Sequence, residues 1–297
     1  MPEAWLASIP GLREHEPLAA HSWYRIGGTA RYFLEVTDDA ELPELIARLT
    51  RDRIPYVVIG AASNTLFKHG EVPGLVIKLA TEGWHVDGDL VSTPAGTLMP
   101  RLALEAAKAG RAGLEFGAGV PGSVGGSVFG NAGAFGREVK DALATVEVVT
   151  SDGSRQVLRN ADCDFAYRDS VFKQARPGWV ILGATFTTTA DEPDRVRARI
   201  KEVQKHRRET QPIEKRSLGS TFKNPPGDSA GRLIEAAGLK GHRLGGAEIS
   251  RKHANFIVNL GGATADDVLA LMAEMRDRVR EQFGIELEPE VRVVDAE

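Results

Sequence analysis

The sequence has a single cysteine, Cys163, so it can form no internal disulfide and no cysteine-rich metal site. Its neighbours Phe165 and Ala166 are apolar, and we expect a buried thiol without a chemical role. A P-loop, a zinc-ligand spacing and a G-x-S-x-G nucleophile motif are also missing. These absences argue against phosphate-loop NTPases, metalloenzymes and serine hydrolases, and we expect no metal.

Long apolar runs are missing too, since none approaches the roughly 20 residues that span a bilayer. The first residues, MPEAWLASIPGLREHEP, carry acids and prolines where a signal peptide needs a basic start and an apolar stretch. We therefore expect a cytoplasmic protein without membrane insertion. Lys and Arg number 37 against 41 Asp and Glu, and this scattered net charge of −4 does not favour a nucleic-acid partner. A small ligand is the expected partner, and we expect a monomer.

Glycine, by contrast, is concentrated in one segment. Gly113–Gly136 holds nine glycines in 24 residues, interleaved with Leu, Val and Phe. Such a run is typical of backbone that wraps a phosphate or pyrophosphate, although a flexible linker is the alternative. It contains the letters G-x-G-x-x-G, but a Rossmann fingerprint needs a preceding strand and a following helix. Here a predicted helix precedes the motif, and Pro121 and further glycines stand where a helix should open, so we expect the glycines to lie between elements.

Apolar periodicity predicts an α+β chain in three parts, 1–80, 81–190 and 191–297. Thr37 and Asp38 are predicted caps of a helix that starts near residue 42. Thr264 and Asp267 are predicted to cap a helix that ends before Gly284. The other predicted helices cover 98–110, 193–211 and 232–238. The predicted strands cover 30–36, 54–60, 74–79, two hairpins within 84–96 and 144–159, 179–189, 254–260 and 285–294.

Three segments place reactive side chains among small residues: YRDSVFK (167–173), GSTFKNP (219–225) and EPEVRVV (288–294). Each also has an unremarkable interpretation, because arginines are usually solvated or paired and Gly-Ser is common in turns. GSTFKNP is richer than a turn requires, since it carries an aromatic ring, a cation and an amide between Gly219 and Pro225.

These motifs, together with SWYRIGGTARYF, VIGAASNTLF, the glycine run, RRETQP and AGLKGHRLGGAEISRKHANFIVN, resemble those of the UDP-N-acetylenolpyruvoylglucosamine reductases in the same order. The resemblance covers nearly the whole chain. It implies a two-subdomain FAD-binding domain of the vanillyl-alcohol-oxidase type, followed by a C-terminal α/β substrate-binding domain. It further implies reduction of the enolpyruvyl group of a UDP-sugar, with FAD as cofactor and NADPH as co-substrate, in cell-wall precursor synthesis.

By this resemblance the FAD pyrophosphate is held by residues of two loops: Gly60, Ser63, Asn64, Pro121, Gly122, Ser123, Gly125, Gly126 and Asn131. The sequence departs from the family pattern at Ala61 and Ala62, where glycines are usual. No histidine lies in these loops, so we expect FAD to be bound non-covalently.

The resemblance assigns catalysis to Arg168, Ser220 and Glu290. Ser220 would protonate C2 after hydride reaches C3, and Arg168 and Glu290 would stabilise the negative charge between the two events. We expect a protonated or strongly hydrogen-bonded Glu290, unless it only pairs with Arg292. The substrate-binding residues implied are Tyr167, Lys223, Asn224 and His253. No tyrosine-bearing insertion follows YRDSVFK, which indicates the shorter type of the family.

Two other functions stay open from the sequence. One is a flavin oxidoreductase of the same fold that acts on an alcohol or sugar with oxygen as acceptor. The other is a nucleotide-sugar binding protein without turnover. Flavin content and the choice between NADPH and oxygen would separate them.

Overall fold

A computed structural model describes residues 5–174 and 178–297. The helices are α1 (Leu42–Arg51), α2 (Met99–Lys108), α3 (Val124–Phe129), α4 (Val171–Gln174), α5 (Pro193–Thr210), α6 (Ala230–Ala236) and α7 (Ala265–Phe283). The strands are β1 (Arg13–Pro17), β2 (Thr29–Val36), β3 (Tyr56–Ile59), β4 (Thr65–Phe67), β5 (Glu71–Leu79), β6 (His85–Asp87), β7 (Leu90–Pro94), β8 (Arg111–Ala112), β9 (Gly133–Ala134), β10 (Arg137–Glu138), β11 (Leu143–Val149), β12 (Arg155–Arg159), β13 (Val180–Thr187), β14 (Thr189–Ala190), β15 (Arg216–Ser217), β16 (Arg243–Leu244), β17 (Ala247–Ile249), β18 (Ile257–Asn259) and β19 (Arg292–Val294).

The described chain divides into two compact units. The first comprises residues 5–14, 32–61, 74–174 and 178–206, and the second comprises residues 15–31, 62–73 and 207–297. The division runs through strands β1, β2 and β5 and through helix α5. It groups two N-terminal segments with the C-terminal residues, unlike the predicted parts 1–80, 81–190 and 191–297, which remain a prediction.

The first unit is built on an antiparallel sheet with the strand order β12-β11-β13-β7-β6. Val146, Val148 and Phe186 of this sheet are buried in the unit's core. The pairs β6–β7 and β11–β12 confirm the two predicted hairpins. Strands β3 and β5 pair in parallel beside them in the same unit.

Helix α5 confirms the helix predicted over 193–211, and this highly charged helix buries only a narrow apolar stripe. Its Val196 and Ile200 are buried in a small cluster with Ala103 and Ala107 of α2. The alanine side chains of α2 thus cover the few apolar side chains of α5.

The second unit combines the antiparallel sheet β15-β18-β17-β16 with the parallel pair β4–β19. Its long helix α7 begins at the predicted capping box, in which Thr264 Oγ1 accepts from Asp267 N and Asp267 accepts from Thr264 N. It ends at Gly284, where φ is +69°. Strand β19 is shorter than predicted: the chain before it forms an isolated antiparallel bridge, Phe222 to Pro289, instead of a continuous strand.

Two local predictions have opposite outcomes. The caps predicted at Thr37 and Asp38 are wrong: Glu41 stands at the start of α1, and the Asp38 carboxylate instead accepts from Ala40 N at 3.0 Å. Cys163 is confirmed as a fully buried thiol, and burial raises its pKa to about 11, which keeps it protonated at neutral pH.

Two features are absent from the described residues. None of their helices is both long enough and apolar enough to span a membrane. The same residues contain no cluster of three His, Cys, Asp or Glu side chains suited to a metal ion.

Candidate active site

The glycine-rich segment is more structured than the sequence indicates. It contains a 3-10 turn at Glu115–Gly119, and then α3, whose first turn is capped by Ser123 Oγ accepting from Gly126 N at 3.3 Å. The prediction that the glycines lie between elements is therefore wrong for 124–129. The periodicity of so short a helix is hidden by its two glycines. The letters G-x-G-x-x-G begin in the 3-10 turn, which ends at Gly119, and they form no strand-turn-helix unit.

Two of the predicted cofactor loops meet in the first unit, where Gly60 at the end of β3 faces Ser123. A Cβ added to Gly60 would lie 2.0 Å from Ser123 Oγ and 2.8 Å from Ser123 Cβ, so only glycine fits. Gly126 is exposed, and a Cβ there would make one ordinary contact, 3.5 Å from the same Oγ. Packing within the protein therefore does not require a glycine at position 126. The two loops pack closely at Gly60, while the backbone at Gly126 is accessible, and this combination is consistent with a phosphate-binding backbone.

Asn131 was predicted to contact FAD, but its side chain is fully occupied by the protein. It is buried, and its amide donates to Glu138 Oε2 at 3.1 Å and to Ala166 O at 2.8 Å. Its carbonyl oxygen accepts from Lys140 N at 3.0 Å. Both N–H donors are in use, so the side chain cannot also donate to a pyrophosphate without losing one of these bonds.

Arg168 lies at the tip of a tight turn that also exposes Tyr167. The turn is closed by two backbone bonds of 3.1 Å between Ala166 and Asp169. Arg168 has a φ of +56°, a conformation that a non-glycine residue adopts rarely and that is concentrated at functional sites. Its guanidinium group donates to Gly133 O at 3.2 Å and lies 5.1 Å from the centre of the Tyr167 ring.

Ser220 and Glu290 are brought together in the second unit by main-chain bonds of their neighbours. Thr221 O accepts from Glu290 N at 2.9 Å, and Lys223 N donates to Glu288 O at 2.8 Å. Two segments nearly 70 positions apart in the chain thus run side by side. The backbones of Ser220 and Glu290 therefore lie close together. This proximity does not test their catalytic roles.

Asn64 and its neighbour Ser63 also belong to the second unit. Asn64 Nδ2 donates to Glu290 O at 3.1 Å, and Asn64 O accepts from Arg292 N at 3.0 Å. The following residues form β4, which pairs with β19. Asn64, a predicted cofactor ligand, therefore holds the backbone of Glu290 in place.

Asn255 is a residue that sequence reasoning missed. It is buried, its Oδ1 accepts from Phe222 N at 3.0 Å, and its Nδ2 donates to Phe222 O at 2.8 Å. Its main-chain oxygen accepts from Thr221 N at 2.8 Å. Asn255 thereby pairs with the residues after Ser220 as a neighbouring strand would. The signal in the sequence is the polar asparagine within the otherwise largely apolar stretch ANFIVN, which lies in the strand predicted over 254–260.

His253 is held by the same loop. Its Nδ1 accepts from Asn255 N at 3.3 Å, and its ring packs edge-on against Phe256 at 4.9 Å. Burial lowers the pKa of His253, so the neutral imidazole is favoured. A Cβ on Gly231 would lie 2.9 Å from the ring, which makes His253 a tightly packed residue.

The remaining predicted substrate residues have partners in the second unit. Lys223 Nζ donates to the Glu288 carboxylate at 2.5 Å. Asn224 Oδ1 accepts from Ala230 N at 3.1 Å and so supports the start of α6. Both side chains are close to the Ser220 segment in sequence, and their hydrogen bonds define the shape of this loop.

A cavity of about 640 Å³ lies elsewhere in the first unit, between the 3-10 turn and α5. Arg199 in its wall donates to Glu115 at 2.8 Å and to Asp191 at 2.7 Å. None of the predicted site residues lines it. Its lining also includes Arg137, Glu202 and His206, and this mixture of both charge signs indicates no particular ligand.

Known protein families match both the N-terminal and the C-terminal part of the chain. Residues 30–159 match the family model of an FAD binding domain, and residues 211–294 match that of the UDP-N-acetylenolpyruvoylglucosamine reductase C-terminal domain. UDP-N-acetylenolpyruvoylglucosamine reductase of Rhodopseudomonas palustris (strain BisB5) is 43% identical, over 96% of this chain and 93% of that protein. The enzyme of the same name from Rubrobacter xylanophilus is 43% identical, over 96% of each. The crystal structure of this reductase from Thermus caldophilus matches 96% of this chain and 100% of its own with 39% identity and a TM-score of 0.80.

The chain belongs to the UDP-N-acetylenolpyruvoylglucosamine reductase family. The resemblance stated from the sequence is thereby confirmed. So is the α+β class with an FAD-binding domain ahead of a C-terminal domain of this reductase family. The roles of individual site residues are a separate matter and remain predictions.

Proposed function

We propose that the protein reduces the enolpyruvyl group of UDP-N-acetylenolpyruvoylglucosamine to give UDP-N-acetylmuramate, with FAD as cofactor and NADPH as donor. The product serves peptidoglycan precursor synthesis. The observation that carries the proposal is end-to-end similarity to reductases of this name, which includes both the FAD-binding and the C-terminal domain. Arg168, Ser220 and Glu290 all stand in the matching motifs.

The reaction needs a hydride at one carbon, a proton at the next, and stabilisation of the negative charge that develops between the two events. FAD, when bound, would supply the hydride transfer from NADPH to the substrate. Two loops would hold its pyrophosphate. One contains Gly60, Ser63 and Asn64, and the other contains Pro121, Gly122, Ser123, Gly125 and Gly126. The Asn131 side chain would not contact the pyrophosphate, because its amide donates to Glu138 and to Ala166 O.

Ser220 gives its hydroxyl proton to C2 in this proposal. A serine hydroxyl is a weak acid, and its effectiveness depends on precise placement against the developing carbanion. The segment after Ser220 is fixed by Asn255 and by Thr221 O accepting from Glu290 N. This double attachment supports a hydroxyl with a fixed direction.

Arg168 and Glu290 bind the substrate carboxylate and stabilise the enolate-like charge. A guanidinium presents fixed donors to a carboxylate, and a protonated carboxyl can donate where an ionised one would repel. Tyr167, Lys223 and Asn224 are the proposed contacts to the UDP-sugar. For His253 we favour support of the Asn255 loop, because its Nδ1 already accepts from Asn255 N.

The test is anaerobic flavin absorbance with two additions. NADPH should bleach the flavin band, and UDP-N-acetylenolpyruvoylglucosamine should then restore it. A preparation that takes up no FAD, or flavin that is reoxidised by oxygen but not by this substrate, would contradict the proposed function. Acid precipitation should release the flavin if it is bound non-covalently, as the absence of histidine from the two loops predicts.

Ser220→Ala separates catalysis from structure. We expect flavin reduction by NADPH at the wild-type rate and a loss of about 10²- to 10⁴-fold in reoxidation by substrate, which is the usual range for a lost proton donor. Thr221→Ser, which alters the adjacent hydroxyl residue conservatively, is the control. Equal losses in both half-reactions would make Ser220 a structural residue.

We also propose that the enzyme acts as a monomer in the cytoplasm, as its sequence predicts. Light scattering of the FAD-loaded protein and fractionation of cells that express it would test these two statements.

A further inference from the structure

We propose that Asn131 and Glu138 are a positioning pair for Arg168, and that neither side chain contacts the cofactor. The inference rests on the proposed function, because Arg168 is the group that would meet the substrate carboxylate.

The guanidinium group of Arg168 is held by residues outside its own turn. Nη2 donates to Gly133 O at 3.2 Å, and Nη1 lies 3.8 Å from Glu138 Oε1. Gly133 and Glu138 pair with each other across the short β9–β10 hairpin. The direction of the arginine is thus set by this hairpin.

The Glu138 carboxylate is held in place by groups other than Arg168. Its other oxygen, Oε2, accepts from Asn131 Nδ2 at 3.1 Å and lies 3.0 Å from Lys140 Nζ. A Cβ added to Gly133 would lie 2.7 Å from Glu138 Cγ, so the hairpin confines the side chain from the other side. One oxygen is anchored, and Oε1 faces Arg168.

Asn131 links this carboxylate to the base of the arginine's turn. Its second N–H donates to Ala166 O at 2.8 Å, and Ala166 closes the turn through its bonds to Asp169. Asn131 has a φ of +42°, which asparagine tolerates better than most residues. One buried amide therefore fixes both the backbone that carries Arg168 and the carboxylate that faces its guanidinium.

Such an arrangement pre-orients a long side chain with many rotamers. Arginine would otherwise lose that freedom when substrate binds, and a displacement of about 1 Å can cost roughly 10²-fold in rate. Loss of the pair should therefore lower kcat while FAD binding and NADPH oxidation by the flavin persist.

The decisive variant is Glu138→Gln, which keeps the shape and removes the charge that faces Arg168. We expect kcat to fall about 10- to 100-fold in the FAD-loaded enzyme, with flavin content and the rate of flavin reduction by NADPH unchanged. Arg168→Lys should lower kcat as well, and the double variant should be no slower than Arg168→Lys alone, because both changes act through one group. The matched control is Glu147→Gln, whose carboxylate accepts from Arg155 at 2.9 Å in the same unit. It should retain wild-type kcat.

Asn131→Ser provides an independent test, since it removes both donors without adding charge. It should reproduce the fall in kcat, and flavin titration should give wild-type FAD affinity. Wild-type kcat in Glu138→Gln, additive losses with Arg168→Lys, or a loss of FAD affinity in Asn131→Ser matching its loss of kcat would overturn the inference. A wild-type enzyme with no turnover of the enolpyruvyl substrate would instead overturn the proposed function.

Discussion

Each unit of the molecule fixes its candidate catalytic residues with one buried asparagine, and the two asparagines work differently. Asn131 in the first unit bonds the Glu138 carboxylate as well as backbone. The Asn255 side chain in the second unit bonds the backbone of Phe222, accepting from its N–H and donating to its carbonyl, and Asn255 O accepts from Thr221 N. The first arrangement orients a charge, whereas the second orients a chain segment. We therefore expect substitution of Asn131 to lower kcat and substitution of Asn255 to lower the free energy of unfolding.

The largest effect on stability is expected for Asn255→Ala. It leaves the N–H and C=O of buried Phe222 without partners, and each such group costs about 1–3 kcal/mol, so we expect a loss of about 2–6 kcal/mol. The free energy of unfolding from urea titration would measure it. Asn160→Ala is the control: Asn160 also donates to two carbonyls, Lys140 O and Leu143 O, but water can reach this half-buried site. A loss for Asn160→Ala as large as that for Asn255→Ala would contradict the comparison.

A second pair of variants separates protein packing from cofactor binding in the first unit. Gly60→Ala drives a methyl group into Ser123, and we expect a loss of about 1–3 kcal/mol in the apoprotein. Gly126→Ala meets no such obstacle and should leave the apoprotein as stable as before, while FAD affinity falls on the order of tenfold or more. Calorimetry of the apoprotein and fluorescence titration with FAD would measure the two effects. Unchanged FAD affinity in Gly126→Ala would place the pyrophosphate elsewhere.

The pH dependence of stability should report the second unit through His253. Burial lowers the pKa of His253, so the unfolded chain takes up a proton that the folded protein resists. The contribution of His253 to the free energy of unfolding should therefore be complete above the pKa of the unfolded chain, about 6.5, and should decrease as the pH falls below that value. His253→Asn should flatten this part of the curve of unfolding free energy against pH. Identical slopes in both proteins would show that His253 does not contribute.

The smallest effect is expected at the departure from the family pattern. Ala62 has a φ of +46°, which costs an alanine about 1–2 kcal/mol, and glycine would recover part of this at an entropic cost of about 0.5–1 kcal/mol. We expect Ala62→Gly to stabilise the protein by about 0.5 kcal/mol. Ala61→Gly, at a position without positive φ, should destabilise it. Thermal melting of both variants would measure these changes. A higher Tm for Ala61→Gly than for Ala62→Gly would contradict the argument from backbone conformation.

Much of the fold followed from local patterns. The two hairpins of the first unit, the charged helix α5 and the capping box of α7 were predicted because each depends on residues within a few positions of one another. The wrong predictions also have local causes. Asp38 caps its own turn instead of α1, and α3 is too short and too rich in glycine to show a helical period.

The site was predictable only in part. The motifs identified the family and indicated Arg168, Ser220 and Glu290 as candidates. They did not indicate Glu138 or Asn255, whose roles depend on contacts with residues that are distant in sequence. They also presented Asn131 as a cofactor ligand, although its amide is used inside the protein.

The glycine run, the three reactive segments and their order along the chain determined by themselves which family this is and which cofactor and reaction to expect. Tertiary structure decided which side chains are already bonded and which backbone is held. That division has a physical reason: a motif records residue types at fixed spacing, whereas hydrogen bonds such as Asn255 to Phe222 and Asn64 to Glu290 join positions whose proximity arises only on folding.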